Sequence, residues 1–306
     1  YWLKVYKIPE GSRTAKGKAV VNLIQLQPDE KIKAIIPTTD FDESKSLAFF
    51  TKNGIVKRTN LSEFKNIRSV GVRAISLDEN DELVTALIAQ TYDDMPVTDP
   101  ENELSVETEV LEVEELQNEI DEDNVNAEED ANSGDETMLF VVTKKGMCLK
   151  FKISKVRQMG RTARGVTGIK FKEPGDEVVG AAVIESNDQE ILSISQKGIG
   201  KRTTADEYRL TNRGGKGVIC MKLTSRTGDL VGVVMVDEEQ DLMALTSSGK
   251  MIRVDMQSIR KAGRNTSGVI VVNVDGDDVV SIARCPKADD GEDEEEAPSE
   301  DMGLLE

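Results

Sequence analysis

Short runs of alternating apolar and polar residues, joined by turns that contain glycine, recur along this chain about every fifty residues. In the most regular copy, residues 189–195 form one run, 196–198 form the turn, and 199–203 form a second run that carries lysine and arginine. Alternation over about four to seven residues is typical of half-buried β-strands. Glycine supplies the positive φ that a tight hairpin turn requires. Each copy therefore predicts a β-hairpin with a basic return strand.

Two glycines in each copy keep a near-constant distance from each other. The second follows the turn glycine by 17, 19, 19 and 19 residues. The pairs are Gly54 and Gly71, Gly146 and Gly165, Gly198 and Gly217, and Gly249 and Gly268. A plain β-sandwich has no reason to keep two landmarks in phase through four copies, so the pattern indicates one repeated structural unit.

Further apolar runs complete the unit. Those predicted as third strands are 166–171, 218–223 and 269–274. Those predicted as fourth strands are 178–184, 230–236 and 278–283. Four strands in about fifty residues is the pattern of a propeller blade. We therefore expect an all-β, propeller-like fold.

The repeat divides residues 1–286 into five predicted units. They are 1–41, 42–92, 138–187, 188–238 and 239–286. The first unit is incomplete, because residues 1–6 match a return strand and 17–23 match a third strand without the outgoing strand and turn glycine that should precede them. We expect the chain to be the C-terminal part of a longer protein, whose ring of blades needs the missing strands to close.

The formal net charge of −18 is unevenly distributed. Residues 93–137 hold 19 acidic residues and no lysine or arginine, and residues 286–306 hold ten acidic residues and one lysine. The rest of the chain carries a net charge near +10. Segments this charged cannot bury enough apolar surface to offset chain entropy. We expect an acidic disordered insertion at 93–137 and an acidic disordered tail at 287–306, attached to a basic body.

No catalytic or metal site is predicted. The chain has no histidine, the commonest general base. Residues 244–251 fail the P-loop pattern, since Ala244 stands at its first glycine and Met251 at its hydroxyl residue. Residues 121–126 begin like a calcium loop but place Val125 at a ligand position and Asn126 where glycine is needed.

Cysteine usage and hydropathy bear on the compartment. The three cysteines, Cys148, Cys220 and Cys285, lie far apart, which indicates free thiols in a reducing cytosol. No apolar run reaches the roughly 18 residues of a membrane span. We expect a cytoplasmic protein with no membrane partner.

The segment between the second and third strands of each unit is basic and rich in small residues. These basic loops are 13–18, 65–73, 157–165, 209–217 and 260–268. Corresponding loops of successive blades fall on the same part of a ring, so their charges would form a belt around its rim. A single basic loop is usually solvated surface, whereas a regular positive track suits a regular polyanion such as duplex DNA.

The expected mode of binding is phosphate contact. Glycine beside arginine or lysine lets backbone N–H groups approach phosphate oxygens. No predicted element enters the major groove, so we expect bending with little sequence preference. The candidate DNA-contacting residues are Arg13, Lys16, Lys18, Lys57, Arg58, Lys65, Arg68, Arg73, Arg157, Arg161, Arg164, Lys201, Arg202, Arg209, Arg213, Lys216, Arg260, Lys261 and Arg264.

Several segments resemble a known family, the C-terminal domain of the DNA gyrase A subunit. They are residues 5–10, 17–23, 198–203 and 263–269, and the resemblance covers residues 1 to 286 apart from the acidic insertion. It implies a six-bladed β-pinwheel, a propeller-like ring whose blades exchange strands. The family binds DNA on the outer rim and wraps it with a positive superhelical sense.

The resemblance also implies partners. Wrapping presents DNA to the N-terminal part of the same subunit, which holds the catalytic tyrosine. The gyrase B subunit, in an A2B2 assembly, hydrolyses ATP to drive negative supercoiling. ATP and Mg²⁺ therefore belong elsewhere in the holoenzyme, no cofactor is expected in this chain, and the protein is expected at the nucleoid.

The family's diagnostic box reads Gln, Arg or Lys, Arg, Gly, Gly, Arg or Lys, Gly, and belongs to the first blade. The corresponding loop would lie upstream of Tyr1. Residues 211–217 match five of the seven positions but lie in the fourth unit. The match implies DNA contact for Arg213 and Lys216. It implies a turn role for Gly214, Gly215 and Gly217.

Alternative functions remain open at this point. One is the homologous domain of the topoisomerase IV A subunit, which the family implies has more degenerate boxes and often fewer blades. The other is a protein-interaction propeller, which predicts peptide binding at a central channel and no affinity for duplex DNA. The acidic tail is either a solubilising appendage or an internal DNA mimic. In the second case, deleting residues 289–306 should tighten DNA binding at low salt.

Overall fold

The predicted hairpins form in four separate sheets, and in the first three of these sheets the hairpin lies at the centre. The computed structural model describes residues 1–11, 16–27, 30–68, 70–91, 136–237 and 239–287. The strands are β1 (Lys45–Thr51), β2 (Ile55–Asn60), β3 (Leu83–Gln90), β4 (Met138–Thr143), β5 (Met147–Lys152), β6 (Val166–Thr167), β7 (Val178–Ile184), β8 (Glu190–Ser195), β9 (Ile199–Thr204), β10 (Val218–Ile219), β11 (Leu230–Met235), β12 (Gln240–Thr246), β13 (Met251–Asp255), β14 (Val269–Ile270) and β15 (Val279–Pro286). The short 3₁₀ helices are Val5–Lys7, Val20–Asn22, Leu61–Phe64, Ile153–Lys155, Ala205–Glu207 and Met256–Ser258. The all-β prediction is confirmed.

The sheets exchange strands between successive units. Their strand orders are β3-β1-β2-β6, β10-β5-β4-β7, β11-β8-β9-β14 and β13-β12-β15, with every pair antiparallel. In the first three, the hairpin pairs on one side with the fourth strand of its own unit. On the other side it pairs with a short strand from the following unit. The fourth strands β3, β7, β11 and β15 pack in succession and form the inner side of the blades. The exchanged strands β6, β10 and β14 therefore lie on the outer side.

Each exchanged strand is short because the chain leaves the sheet to cross the preceding hairpin turn. Val166 and Thr167 pair with β2, but the N–H groups of Gly168 and Ile169 both donate to the carbonyl of Gly54, at 2.8 and 3.2 Å. The carbonyls of the next two turn glycines accept equivalent bonds from the next two units. The third strands predicted over 166–171, 218–223 and 269–274 were thus too long, since only their first two residues join a sheet.

Both glycine landmarks of the repeat meet at this inter-unit contact, which we call the clasp. Gly198, in a hairpin turn, has φ +73°, and a Cβ there would lie 2.1 Å from the carbonyl oxygen of Val272. Gly268, the second landmark of the following unit, has φ +82°, and its Cβ would lie 2.3 Å from the carbonyl oxygen of Gly200. Within one unit, the turn glycine therefore approaches the backbone of the following unit and the second glycine approaches that of the preceding unit, which accounts for their constant spacing.

The hydrophobic cores lie between successive sheets. Phe50 packs with Leu139 and Phe151 between the first and second sheets. Phe140 and Tyr208 pack between the second and third, with ring centroids 4.8 Å apart. Leu192 and Leu242 belong to the corresponding core between the third and fourth sheets. Because β4 packs on both faces, all six of its residues are buried, which explains its continuous apolar run. Among the described residues, the thiols of Cys148 and Cys220 are free and buried, and that of Cys285 is free and half-buried.

The first unit departs from the prediction. Residues 1–6 and 17–23 were expected to be strands, but within the described residues of 1–41 no strand forms, and each region holds a short 3₁₀ helix instead. A strand needs a hydrogen-bonded neighbour, and this sequence contains no outgoing strand for residues 1–6 to pair with. The ring of Tyr1 nevertheless lies against Gly71, the second landmark of the next unit.

The predictions for the acidic insertion and the acidic tail fall outside the described residues, apart from 136–137 and 287. Thr137 is buried at the start of β4, and its carbonyl accepts a hydrogen bond of 3.0 Å from the N–H of Ile153. No helix in the described ranges has the length and apolar character to cross a membrane.

Candidate nucleic-acid interface

Three of the basic loops, 157–165, 209–217 and 260–268, run along the outer edges of the preceding sheets. After the 3₁₀ helix of its unit, each loop meets the return strand of the unit before it. The hydrogen bonds are Met159 N–H to the Arg58 carbonyl at 2.8 Å, Thr211 N–H to the Lys150 carbonyl at 2.9 Å, and Ala262 N–H to the Arg202 carbonyl at 2.9 Å. These loops therefore occupy the rim, as the sequence predicted, and they cover strand edges that would otherwise be open.

Four cations occupy equivalent positions at the start of the last four basic loops, each eleven residues after the turn glycine of its unit, and we call them the outer row. They are Lys65, Arg157, Arg209 and Arg260. Each follows a buried apolar or aromatic residue that closes the 3₁₀ turn, so its own side chain points away from the core and is exposed. Within the described part of the chain, none of the four has an ion pair or side-chain hydrogen bond. The outer row is therefore free to contact an external anion.

A second set of equivalent cations is partly committed to the fold. Arg161, Arg213 and Arg264 each lie four residues before the second glycine of their unit and are half-buried. Arg161 Nη1 donates to the Glu63 carbonyl at 3.2 Å, and Arg264 Nη1 donates to the Ile219 carbonyl at 3.3 Å.

Arg213 makes two bonds of this kind. Its Nε donates to the Lys155 carbonyl at 2.8 Å and its Nη1 to the Thr167 carbonyl at 3.1 Å. The side chains of this second set therefore tie each loop to the preceding unit, which leaves fewer guanidinium donors for an external ligand.

Three predicted contact residues are buried, which corrects their assignment. Lys57 and Lys201 are 0% exposed and Arg58 is 9% exposed. β2 and β9 pack on both faces and are covered along one edge by the following loop, so residues of either parity face protein. Burial lowers the pKa of Lys57 and Lys201 to about 8. None of the three can reach a phosphate on the protein surface in this fold.

The other predicted cations fall into two groups, those that pair with a carboxylate of the protein and those that do not. Arg164 pairs with Asp78, Lys261 pairs with Glu190, and Arg202 lies 3.5 Å from Glu190 while its Nε donates to the Ile259 carbonyl at 2.7 Å. The exposed ones without an ion pair in the described ranges are Lys16, Lys18, Arg68, Arg73 and Lys216. Arg13 lies outside the described residues.

The glycines of the box-like segment hold its backbone close to the preceding unit. Gly214 N–H donates to the Gly168 carbonyl at 2.6 Å, and the carbonyl of Gly215 accepts from Lys170 N–H at 2.9 Å. Gly217 has φ +75°, and a Cβ there would lie 2.2 Å from the Cys148 carbonyl oxygen. The turn role inferred for these glycines thus has a structural reason, and Lys216 between them is exposed.

The inner side of the blades offers little room for a ligand. A cavity of about 200 Å³ lies between the fourth strands, lined by residues such as Val84, Gly180, Gly232 and Ile282. None of its lining residues in the described chain is charged. Ligand pockets are typically about 300–1,000 Å³ and carry convergent polar groups. Among all the residues that the structure describes, no group of three or more His, Cys, Asp or Glu side chains could hold a metal ion.

Comparison with known proteins agrees with this architecture. The family model described as DNA gyrase C-terminal domain, beta-propeller, matches residues 1–39, 45–90, 137–185, 189–237 and 240–286. The chain belongs to this family.

The DNA gyrase A subunit of Campylobacter fetus is 74% identical over 299 residues, which cover 96% of this chain and 33% of that protein. The one from Campylobacter jejuni is 70% identical over 305 residues, covering 99% of this chain and 34% of that protein. The one from Helicobacter pylori is 48% identical over 303 residues, covering 99% and 31%. The chain spans about a third of the length of these relatives.

Solved structures share the fold of this gyrase C-terminal domain. The C-terminal domain of DNA topoisomerase IV aligns with a TM-score of 0.68 at 23% identity, covering 92% of this chain and 74% of that one. A DNA gyrase A C-terminal domain aligns with a TM-score of 0.66 at 22% identity, covering 88% and 75%. The predicted β-pinwheel is thereby confirmed.

The sequence reasoning missed a set of ion pairs at the turn end of this gyrase domain. Lysines of the hairpin turns pair with acidic residues that precede the fourth strand of the following unit. The pairs are Lys52 with Glu177 at 3.1 Å, Lys145 with Asp229 at 3.1 Å, and Lys197 with Asp278. The signal was the recurrence of an acidic residue just before each fourth strand. These turn lysines stabilise contacts between units and are not part of the outer row.

Proposed function

We propose that this chain binds duplex DNA along its rim and bends it, as the DNA-wrapping part of the DNA gyrase A subunit. The observation that carries the proposal is the outer row, Lys65, Arg157, Arg209 and Arg260, four exposed cations without partners in the described chain and at equivalent places in successive units. Because the units repeat, these charges recur at regular intervals, as phosphates do along a duplex. Arg68, Arg73 and Lys216 extend the same surface.

Phosphate contact is the mode that this surface favours. The helices of the described chain are three or four residues long, too short to read bases from the major groove. Lysine and arginine side chains on loops suit phosphate oxygens, which carry no base sequence. Smoothly bending 20–30 base pairs by 40–90° costs roughly 1–6 kcal/mol, so several such contacts must act together.

The proposed role places the chain in a larger enzyme. The catalytic tyrosine would belong to the N-terminal part of the same subunit, while the gyrase B subunit would hydrolyse ATP with Mg²⁺ in an A2B2 assembly that introduces negative supercoils. Bending by this chain would present DNA to that assembly. The protein would then act in the cytoplasm, at the nucleoid.

The alternatives have weaker support. The 74% identity to a DNA gyrase A subunit is far above the 23% identity to the topoisomerase IV domain, which favours gyrase. The small, uncharged inner cavity does not favour a peptide-binding propeller. Exposed cations on the rim can bind an anionic ligand, whereas the inner cavity is small and its lining in the described residues has no charged group to bind a peptide.

The test is binding of the 306-residue chain to a duplex of about 40 base pairs over a salt series. Changing the four residues of the outer row to alanine should lower the slope of log affinity against log salt by about 0.9 for each phosphate that is no longer engaged, and thus by up to roughly 3–4. Tm is measured alongside, and we expect it to change little because these side chains are exposed.

The matched control removes four exposed cations on the turn side of the blades that make no bond to a basic loop in the described chain, Lys31, Lys172, Arg226 and Lys250. It changes the net charge equally and should leave most of the slope intact. Equal losses in the two variants would mean that total charge, and not the rim, governs binding. No duplex binding by the parent chain at low salt would refute the proposal.

A further inference from the structure

Two lysines are buried where the repeat can also hold an apolar residue. Lys57 and Lys201 stand three residues after their turn glycines, and Leu149 occupies the same place in the unit between them. All three are buried, and Leu149 faces Gly215 of the following basic loop. Because a leucine fills the same place in the unit between them, packing alone does not require a lysine here. Removing an ammonium group from water is also costly.

Both ammonium groups bond to the backbone of the following basic loop. Lys57 Nζ donates to the Arg161 carbonyl at 2.6 Å and to the Ala74 carbonyl. Lys201 Nζ donates to the Gly263 carbonyl at 2.7 Å and to the Arg264 carbonyl. In the described chain these bonds go to neutral oxygens, with no carboxylate partner.

The carbonyls of Arg161, Gly263 and Arg264 belong to loops that carry outer-row arginines, whereas Ala74 directly follows the basic loop of the unit that contains Lys57. Arg161 lies in the loop that begins at Arg157, and Arg264 lies in the loop that begins at Arg260. The side chains of Arg161 and Arg264 are themselves bonded to the preceding unit. Each loop is thus fastened at the same residue by its backbone and by its side chain.

The middle basic loop, 209–217, is also tied to the preceding unit by the side chain of Arg213, but within the described residues no lysine ammonium group bonds to its backbone. Backbone bonds join Gly214 and Gly215 to Gly168 and Lys170, and the adjacent Leu149 supplies only apolar contact. Two loops therefore depend on a lysine that the third does not use.

We infer that Lys57 and Lys201 are positioning residues for DNA, each of which holds the following basic loop in the shape that presents its exposed cations to phosphates. The inference rests on the proposed function and adds to it residues that never touch DNA. A positioning role predicts that Lys201, whose carbonyl partners both lie in the loop 260–268, acts through that loop only.

The test is a double-mutant cycle on the 306-residue chain. Lys201→Leu copies the residue that the middle unit already tolerates. It should lower the salt slope of duplex binding by about 0.9 per phosphate released, and by no more than Arg260→Ala/Lys261→Ala does. Added to that double variant, Lys201→Leu should have no further effect. Added to Arg157→Ala, its effect should be the same as in the parent chain.

Each outcome decides the inference. An unchanged slope in folded Lys201→Leu, or the same extra loss in the Arg260→Ala/Lys261→Ala background, overturns it. If Lys201→Leu does not fold, the cycle is run with Lys57→Leu against Arg73→Ala/Arg157→Ala/Arg164→Ala, because Lys57 bonds beside two basic loops. Failure of both leucine variants to fold overturns it, because the lysines would then maintain the fold and not one loop. Absence of duplex binding by the parent chain would instead refute the proposed function.

Discussion

The role of a single lysine or arginine in this protein depends on which element covers it. Lys57 and Arg58 lie in a strand flanked on both faces, and both are buried, whereas Arg157 begins a loop and is exposed. Arg161, four residues on, is half-buried and bonded to a carbonyl. These four residues have similar chemistry and were predicted to have one function, yet the structure places them in three different environments.

The buried lysines should make stability depend on pH. Burial lowers the pKa of Lys57 and Lys201 to about 8, whereas an unfolded lysine titrates near roughly 10.4. Between these values the unfolded chain binds more protons at the two sites than the folded chain does. The free energy of unfolding should therefore rise with pH across this window, by on the order of 3 kcal/mol per lysine, and this contribution is absent below pH 8.

Urea unfolding of the parent chain and of Lys57→Leu/Lys201→Leu, from about pH 7 to 10, isolates this effect. The difference in unfolding free energy, parent minus variant, should increase with pH, since other titrating groups cancel in the subtraction. A flat difference would mean that the carbonyl oxygens stabilise the ammonium groups enough to offset the cost of burying them.

At the level of elements, the contact that organises the fold is the clasp between two successive units, and not the sheet of a single blade. A hairpin turn from one unit and the glycine-led segment of the next come within backbone contact, and the exchanged strand ends there. This explains why the third strand is only two residues long although its apolar run is longer. It also explains why both glycines recur in phase, because each admits the backbone of the other unit.

Glycine substitutions should separate backbone strain from steric contact. Gly198 and Gly249 both stand in hairpin turns, with φ of +73° and +83°, but only Gly198 lies against a following unit. A Cβ at Gly249 would meet nothing within 4 Å. Gly249→Ala should cost only the left-handed backbone penalty of roughly 1–2 kcal/mol. Gly198→Ala must also displace the Val272 carbonyl, so its loss of stability should be clearly larger.

The measurement is the urea midpoint of each alanine variant. Equal midpoints for the two variants would show that the Val272 carbonyl can move away from a methyl group at position 198 at little cost in stability. Loss of a single transition in Gly198→Ala alone would indicate that the units on either side unfold separately once the clasp is broken.

At the scale of the whole molecule, the sheets are linked in series through clasps, so their outer edges follow one another along the rim. The outer row contributes one cation in each unit from the second to the fifth, Lys65 to Arg260. A duplex that engages several units must follow their arrangement, whereas a duplex held at one unit can stay straight. The number of engaged loops should therefore set the extent of bending.

Bending is predicted to fall in steps as loops are disabled. Energy transfer between dyes at the two ends of a duplex of about 40 base pairs reports the end-to-end distance. Arg260→Ala alone, then with Arg209→Ala, then with Arg157→Ala, should lengthen this distance progressively at saturating protein. The turn-side control variant should bend DNA as the parent does. A bend that is unchanged until binding is lost would contradict additive engagement of the loops.

Much of this architecture follows from local sequence patterns. Alternating apolar residues and glycine turns predict the hairpins, and the phase of two glycines predicts the repeated unit, because both signals depend on neighbours in sequence. The position of the basic loops on the rim follows from the repeat alone. The first unit was predicted wrongly at residues 1–6 and 17–23, since apolar pattern cannot supply a missing strand partner.

The sequence by itself determined the repeat, its β-hairpins and the concentration of positive charge between the second and third strands. Only the tertiary structure decided which of those charges reach solvent. Lys57 and Lys201 each begin a polar Lys-Arg-Thr run, which is typical of exposed positions, but packing on both faces and the following loop along the edge enclose them. Whether these residues are buried depends on the basic loop of the next unit, which lies dozens of residues away in sequence and packs along the strand. The apolar and polar pattern within one strand carries no information about that contact.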